Sequence, residues 1–376
     1  MKRIYLDHAA TSPVTPEVRN AMRPWLESEH GNPSSLYAEG RRARAAIDAS
    51  REAVATRLGC EFAEVTFTSG GTEAANLAVV GTALAAREGR RRRVLVSAIE
   101  HHCVLHAAES LAAFGYRVDK VPVDAAGRLD LDALGEMLGD DVLLVSLMHA
   151  NNEIGRIQPV AQAAAMARDR GVLFHMDAVQ TLGVLPVGLD LLGVDLLSVS
   201  AHKLGGPKAV GALAVRAGVR VSPLIVGGGQ ERERRAGTEH VAGIVGFGEA
   251  VRAPINPDRG RSARDAFLTR LSEAPFAVTA SGDDVLPGFA HGRFPGVPAE
   301  TVLIALDRLG VAAGSGAACS SGSLEPSHVL LAMGLTPNEA KDGLRFTFGS
   351  QTTMDEAIEA AERVLAAWRM VTGVQC

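Results

Sequence analysis

Several short stretches of this chain set polar side chains at the ends of apolar runs, a pattern that suits anion binding and proton transfer. Ser69-Gly70-Gly71-Thr72-Glu73 separates an apolar run from a helical one. Glycine lets the backbone approach a ligand closely, and the start of a helix offers unpaired N–H groups to a phosphate. An ordinary strand-to-helix turn looks the same, because the stretch lacks both the Gly-Lys-Ser/Thr of a P-loop and the spaced glycines of a dinucleotide fingerprint. In Ser198-Val199-Ser200-Ala201-His202-Lys203 an apolar run ends in hydroxyl, imidazole and amine groups, just before Gly205-Gly206-Pro207. Lys203 is there either a solvated amine or, if partly desolvated, one able to form a Schiff base. Asp177, in His175-Met176-Asp177-Ala178-Val179-Gln180, closes another apolar run. A carboxylate so placed needs a partner, which is either a helix start or a protonated heterocyclic nitrogen. Glu100-His101-His102 and Asn151-Asn152-Glu153 follow two more such runs. The adjacent histidines do not read as a metal site, since neighbouring side chains on an extended chain diverge and no third ligand is suitably spaced. A phosphate cup, a strand-end aspartate, a strand-end histidine and a lysine together form the set that pyridoxal phosphate requires.

The elements that must position these groups are legible as alternation. Ala38 to Leu58 reads as a helix ended by Gly59, 64–68 as a buried strand, about 72–88 as a helix and 94–97 as the next strand. Further short apolar runs cover 142–148, 172–176, 196–200 and 210–215, with a helix over 159–170. Strands interleaved with helices predict an α/β fold with a mostly parallel, covered sheet. Pro254, Pro257, Asp258 and Gly260 interrupt the pattern. The expected division is a large domain over 15–255 and a smaller α+β domain from 1–14 with 256–376. In the smaller domain a helix over 298–309, a loop over 314–323, a strand over 344–348 and a last helix from Met354 are expected.

Composition narrows the function. The 376 residues are 47% hydrophobic and 22% charged, with a net charge of −5, so a large core is available and disorder is excluded. That balance gives no overall attraction to nucleic acid or to an anionic membrane, and no uncharged apolar run approaches the ~18 residues of a membrane span. Met1-Lys2-Arg3 is basic, but Asp7 and His8 arrive before an apolar signal core can form. Four cysteines without framework spacing fit a reducing compartment. The expectation is a cytoplasmic enzyme with no membrane and no direct nucleic-acid partner. The arginines at 90–93 and Arg232, Arg234 and Arg235 read as solvated faces, or as a docking surface for an acidic partner or tRNA.

Over nearly its whole length the sequence resembles the class V aminotransferases of fold-type I pyridoxal-phosphate enzymes, and within them the group I cysteine desulfurases of the NifS/IscS kind. The resemblance rests on Tyr5-Leu6-Asp7-His8-Ala9-Ala10-Thr11, Gly31-Asn32-Pro33-Ser34-Ser35, Thr68 to Glu73 and Met148 to Gly155. It continues through Ser200-Ala201-His202-Lys203, Arg235-Ala236-Gly237-Thr238, Ser321 to Ser327 and Arg345-Phe346. It implies a large domain with a seven-stranded type of sheet, pyridoxal 5'-phosphate as cofactor and L-cysteine as substrate. By the same resemblance Lys203 is the Schiff-base lysine and base, Asp177 holds the pyridinium nitrogen, and His101 stacks on the ring. Gln180 and Asn152 lie near the phenolic oxygen, and Gly71, Thr72, Ser200 and His202 hold the phosphate. Thr238 reaches the phosphate of a neighbouring subunit, which implies a homodimer. Arg345, with Asn152 beside it, binds the substrate carboxylate. No metal is implied. Many relatives carry a histidine two residues after the Gly-Asn-Pro-Ser-Ser motif, where this chain has Tyr37, so no proton role is assigned there.

Cys319 decides between readings. It lies in Ala313-Gly314-Ser315-Gly316-Ala317-Ala318-Cys319-Ser320-Ser321-Gly322, a stretch of small residues with no core-forming side chain, so an exposed and mobile cysteine is expected. It matches the residue that accepts sulfur as a persulfide and passes it to an acceptor protein, an iron–sulfur scaffold or a tRNA-thiolation enzyme. Longer relatives dock a scaffold with a tail beyond the last helix, and the stretch ending at Cys376 leaves the acceptor open. Cys60 and Cys103 read as core or wall residues. A class V aminotransferase or kynureninase-like lyase needs no Cys319, a selenocysteine lyase shares most of the site, and a non-enzymatic interaction protein needs neither Lys203 nor Asp177.

Overall fold

A computed structural model describes residues 2–256, 258, 260–316 and 325–374. Cys319 and Cys376, with most of the expected 314–323 loop, lie outside the described residues. The described strands are, in chain order, β1 Ile4–Tyr5, β2 Val65–Thr68, β3 Arg93–Ser97, β4 Arg117–Val121, β5 Val142–Met148 and β6 Leu173–Asp177. They continue with β7 Leu196–Ser200, β8 Gly211–Val215, β9 Ala277–Val278, β10 Phe289–Arg293, β11 Val311–Ala312 and β12 Gly343–Thr347.

Seven of them form one sheet in the order β2-β8-β7-β6-β5-β3-β4. β4, β3, β5, β6 and β7 pair in parallel, and β8 runs antiparallel to both β7 and β2. Apart from the edge strand β4, these strands are mostly apolar and buried on both faces, as a covered sheet requires. Alternate positions separate cleanly. Leu95, Val145, Leu147, Phe174, Met176, Leu197 and Val199 pack into one core, with Ile47, Val54 and Leu58 of the helix Ala38–Leu58. Val94, Val96, Leu144, Leu196 and Leu213 face the other, with Ala74, Leu77 and Val104. A parallel sheet sends its crossovers over the faces, so the loops after β2, β3, β5, β6 and β7 all open along one edge.

A second sheet, β12-β10-β9, is antiparallel. Its core joins Phe267, Phe294, Val302, Phe346 and Val364 to Ile4 and Leu6 at the start of the chain. β1 pairs in parallel with β11, and Leu6 O accepts a hydrogen bond from Thr347 N at 2.7 Å. The first residues are therefore packed against the C-terminal part of the fold.

The helix Ala38–Leu58 and the strands β5 and β7 fall at their expected bounds. The expected 72–88 helix is instead Gly71–Asn76, a π-helical turn Leu77–Gly81 and Thr82–Ala85. β4 escaped the apolar pattern because it is an edge strand whose Arg117, Asp119 and Lys120 alternate with valines, a composition that blunts a sheet edge. In the arginine runs Arg90 and Arg232 are exposed as expected, but Arg91, Arg93, Arg234 and Arg235 are not. Arg91 donates to the carbonyls of Val142 and Arg170 at 3.1 Å each, and Arg93 to Met137 O at 2.9 Å. Arg235 bonds Glu73 at 3.0 Å, and Arg234 donates to Ala63 O at 3.1 Å. These guanidinium groups satisfy buried-edge carbonyls and carboxylates rather than solvate a face.

One buried ion pair holds the edge of the sheet next to the Ser69–Glu73 turn. Arg51 meets Glu231 with two bonds of 2.7 Å, and Glu231 also accepts Phe67 N at 2.9 Å. Glu231, Arg232 and Glu233 adopt positive φ of 46°, 55° and 63° there, conformations that L-residues hold only under such anchoring. Arg51→Ala leaves a buried carboxylate unpaired and is expected to remove about 3–5 kcal/mol of stability. Chemical denaturation measures this, and a loss below about 1 kcal/mol, the range of an exposed pair, contradicts it.

Candidate active site

The loops at the sheet edge close around a cavity of about 290 Å³. Gly71 and Thr72 line it from the turn after β2, His101 from the turn after β3, and Asn152 and Glu153 from the turn after β5. Asp177 and Gln180 enter from β6, and Ser200, His202 and Lys203 from β7. Arg345 reaches it from β12, and Ala9 and Ala10 from the start of the chain. Nine of the residues given site roles from sequence thus meet in one place, together with Arg345.

Asp177 is 7% exposed, and its Oδ1 accepts Val179 N at 2.9 Å. Burial pushes its carboxyl up to about 6, against the pull of the Val179 N–H and the Lys203 ammonium. Behind it on β6, His175 is fully buried between the hydroxyls of Ser146, 2.8 Å away, and Ser198, 3.1 Å away. Burial pushes this imidazole down to about 3, so it is neutral and the carboxylate of Asp177 is the charge that the sheet presents.

Lys203 is half-buried, and its Nζ donates to Ala10 O at 2.9 Å and to Ala9 O. Gln180 Nε2 donates to Ala9 O at 3.1 Å, so the same N-terminal carbonyl orients both groups. His202 lies 3.2 Å from Thr11 Oγ1 and is pushed down to about 4 by burial and then by the charges of Lys203 and Lys208. His101 caps the helix His102–Ser110, its Nδ1 accepting Cys103 N at 3.1 Å. That bond puts the ring proton on Nε2. Burial, then Lys203, pushes His101 down to about 4, which leaves a neutral ring on the cavity wall.

Arg345 is 1% exposed. Nη2 donates to Asp7 Oδ1 at 2.6 Å, and Nη1 donates to Asn152 O at 2.8 Å and Gly316 O at 3.0 Å. Its Nε is buried without a hydrogen-bond partner among the described residues.

Thr238 is exposed and does not line this cavity; it lies in a shallow hollow with Thr68, Ser69 and Arg235 on the outer side of the same turn. Cys319 lies outside the described residues. Cys60 packs at the margin of the main core, where burial and nearby carboxylates push its thiol up to about 12, and Cys103 lines the cavity wall. Tyr37 stands half-exposed at the start of the helix Ala38–Leu58, away from the cavity. Sequence reasoning assigned no role to Glu100, His328 or Glu153. Glu100 is completely buried, with Oε1 accepting Met148 N at 2.6 Å and its carboxyl raised by burial and by Asp177. His328 bonds Glu100 O at 2.9 Å. Only their neighbours in the motifs carried a signal, and a lone His328 carried none.

This fold and this edge of lysine, aspartate and histidine define a fold-type I enzyme. Residues 4–359 match the aminotransferase class-V family. A protein named cysteine desulfurase IscS from Dictyoglomus turgidum is 43% identical over 99% of this chain and 97% of its own length. A putative cysteine desulfurase IscS 1 from Bacillus subtilis is 42% identical over 99% of this chain and all of its own. Among solved structures, a NifS-like protein superposes with a TM-score of 0.92 at 33% identity, covering 98% of this chain and 100% of that one. A structure described as SspA in complex with cysteine gives 0.84 at 33% identity, over 92% of this chain and 99% of that one. The chain belongs to the aminotransferase class-V family, on its cysteine desulfurase branch.

Enzymes of this family use pyridoxal 5'-phosphate, and the residues present fit it. A Cβ on Gly71 would come within 2.8 Å of Val179 and 3.5 Å of Ser200, so glycine keeps open the space at the helix start where a phosphate needs it. The raised carboxyl of Asp177 is matched to a protonated ring nitrogen, the partner that buried charge calls for.

In cofactor-free protein that partner is missing and Asp177 opposes folding when ionised. Its folded value of about 6 exceeds the ordinary 3.8, so the penalty is absent below about pH 4, grows up to about pH 6 and is constant above. Asp177→Asn is expected to stabilise the cofactor-free protein by about 2–3 kcal/mol at pH 8 and by almost nothing at pH 4. Urea unfolding at the two pH values measures it; an equal difference at both contradicts the assignment.

Proposed function

We propose that this protein is a pyridoxal-phosphate-dependent cysteine desulfurase that converts L-cysteine to L-alanine and moves the sulfur onto Cys319. The observation that carries the reading is the convergence of Lys203, Asp177, His101 and Arg345 on one cavity, in a chain that carries a cysteine in the small-residue stretch just after Gly316. The cofactor supplies an electron sink conjugated to the substrate Cα.

The chain's own groups do the rest. Asp177 would keep a proton on the ring nitrogen of the cofactor, and the neutral His101 ring would form the wall beside it. Gly71, Thr72, Ser200 and His202 would hold the phosphate, and Gln180 and Asn152 would serve the phenolic oxygen. Arg345 orients the substrate carboxylate, a task for a planar guanidinium that cannot lose its charge. Lys203 would hold the cofactor through its amine, and the same amine is the base suited to take the proton from the substrate Cα and to give it back during product formation. The Cys319 thiolate attacks the substrate sulfur, forming the S–S bond of a persulfide as the Cβ–S bond breaks. The electron pair of that bond stays on carbon, which takes up a proton to give alanine, so cysteine plus thiol balances alanine plus persulfide.

The exposed Thr238 supports a homodimer in which each chain completes the phosphate site of its neighbour. The persulfide then passes to an acceptor protein, an iron–sulfur scaffold or a tRNA-thiolation enzyme. No described helix is long and apolar enough to cross a membrane.

Wild-type holoenzyme with L-cysteine and a reductant is expected to release alanine and sulfide in equal amounts. Cys319→Ser is expected to keep the cofactor and its visible colour but to lose alanine formation by about 100-fold or more, because a hydroxyl is a poor nucleophile toward divalent sulfur. Lys203→Ala should lose both. Unchanged turnover in Cys319→Ser favours a direct lyase. Light scattering should give twice the chain mass, and Thr238→Ala should retain cofactor less well; an active monomer contradicts the shared site.

A further inference from the structure

Glu153 is a buried carboxyl that the mechanism above does not use. It is 2% exposed and lines the cavity, held by its own N–H donating to Asn151 Oδ1 at 2.8 Å. Its Oε2 accepts the hydroxyl of Ser327 at 2.6 Å. Ser327 in turn accepts Leu330 N at 3.3 Å and so caps the helix His328–Ala332. On its other side stands Gly316, at φ 90°, where a Cβ would come 2.9 Å from Glu153 Oε2 and 3.2 Å from its Cβ. The carbonyl of Gly316 is the one that Arg345 Nη1 grips at 3.0 Å, while the same Nη1 grips the carbonyl next to Glu153, that of Asn152.

We propose that Glu153 is a positioning residue for the sulfur-transfer step, its carboxylate fastening Ser327 and Gly316 to the turn after β5 that also holds Arg345. The inference rests on the desulfurase reading, because Gly316 is the last described residue before Cys319 and Ser327 the third described residue after it. A surface glutamate would stabilise almost nothing by such contacts; a buried one that is hydrogen-bonded on one flank and close-packed on the other fixes the separation between them. The chemistry also explains why a carboxylate is kept where burial pushes it up to about 7: Ser327 and Arg345 both favour its ionised form. An acceptor of this length is needed, and a glycine opposite it.

The test compares holoenzyme variants in single-turnover alanine formation from L-cysteine, alongside the visible spectral change that reports substrate binding. Glu153→Ala is expected to lower the single-turnover rate and kcat by about tenfold, the effect of one lost charge-assisted hydrogen bond, with KM within about threefold of wild type. Glu153→Gln keeps an oxygen acceptor for Ser327 in the same volume and is expected to restore the rate to within about threefold. If Glu153→Ala does not fold, Ser327→Ala breaks the same contact from the other end and is expected to lower kcat without raising KM. A wild-type single-turnover rate in Glu153→Ala or in a folded Ser327→Ala overturns the proposal. So does a rise in KM with unchanged kcat, which would mean that Glu153 acts on the substrate carboxylate through Arg345 alone. A wild-type enzyme that makes no alanine overturns the desulfurase reading instead.

Discussion

A guanidinium that cannot shed its charge, buried to 1% exposure, has to be surrounded by acceptors, and Arg345 draws four stretches of chain together for that purpose. It projects from β12, takes Asp7 from the N-terminal segment, Asn152 O from the turn after β5 and Gly316 O from the loop after β11. Those stretches are far apart in sequence and belong to different sheets. Where they meet, the N-terminal segment is placed so that the carbonyls of Ala9 and Ala10 reach Lys203 and Gln180. One buried charge therefore fixes the relation between the group that orients a substrate carboxylate and the amine that works on Cα. Its Nε, buried without a hydrogen-bond partner among the described residues, shows that this network leaves one of its donors unused.

Three carboxyls are buried around that point, and each is handled differently. Asp177 sits on a covered sheet above a neutral His175, near enough to Lys203 to feel its charge. Glu100, close to Asp177, is pushed well up by burial and by that neighbouring charge, and it accepts Met148 N. Met148 is the residue paired with Asp177 across β5 and β6, so the second carboxyl is built into the wall behind the first. Two negative charges there repel, which is one of the two causes that raise Glu100. Glu153 is stabilised from a different side, by Ser327 and Arg345. Burial that would weigh against stability in an ordinary core here sets which groups are charged.

Much of this was legible before any coordinates. Val142–Met148 and Leu196–Ser200 are uniform apolar runs, and a doubly covered strand leaves that mark. Polar residues directly after such runs lie at the ligand-binding edge of a parallel sheet, which is why Lys203, Asp177, His101 and Asn152 could be grouped by position alone. β4 was not legible, since an edge strand keeps half of its side chains charged. The arginines at 91, 93, 234 and 235 were misread because composition cannot tell a solvated guanidinium from one that satisfies carbonyls at a sheet end. His328 and Glu153 were missed for a related reason: their partners, Glu100 O and Ser327, are contacts between distant segments, and no local spacing encodes them.

The central claim is that the sulfur of L-cysteine leaves as a persulfide on this chain, at Cys319, by chemistry that Lys203 sets in motion. Peptide mass spectrometry of the holoenzyme quenched after L-cysteine tests it most directly. The account predicts one extra sulfur atom on the peptide containing Cys319, removed by reductant, absent from the peptides of Cys60 and Cys103, and absent altogether from Lys203→Ala. Alanine accumulating while every cysteine of the protein stays unmodified, or sulfur found on Cys103 rather than Cys319, would contradict it.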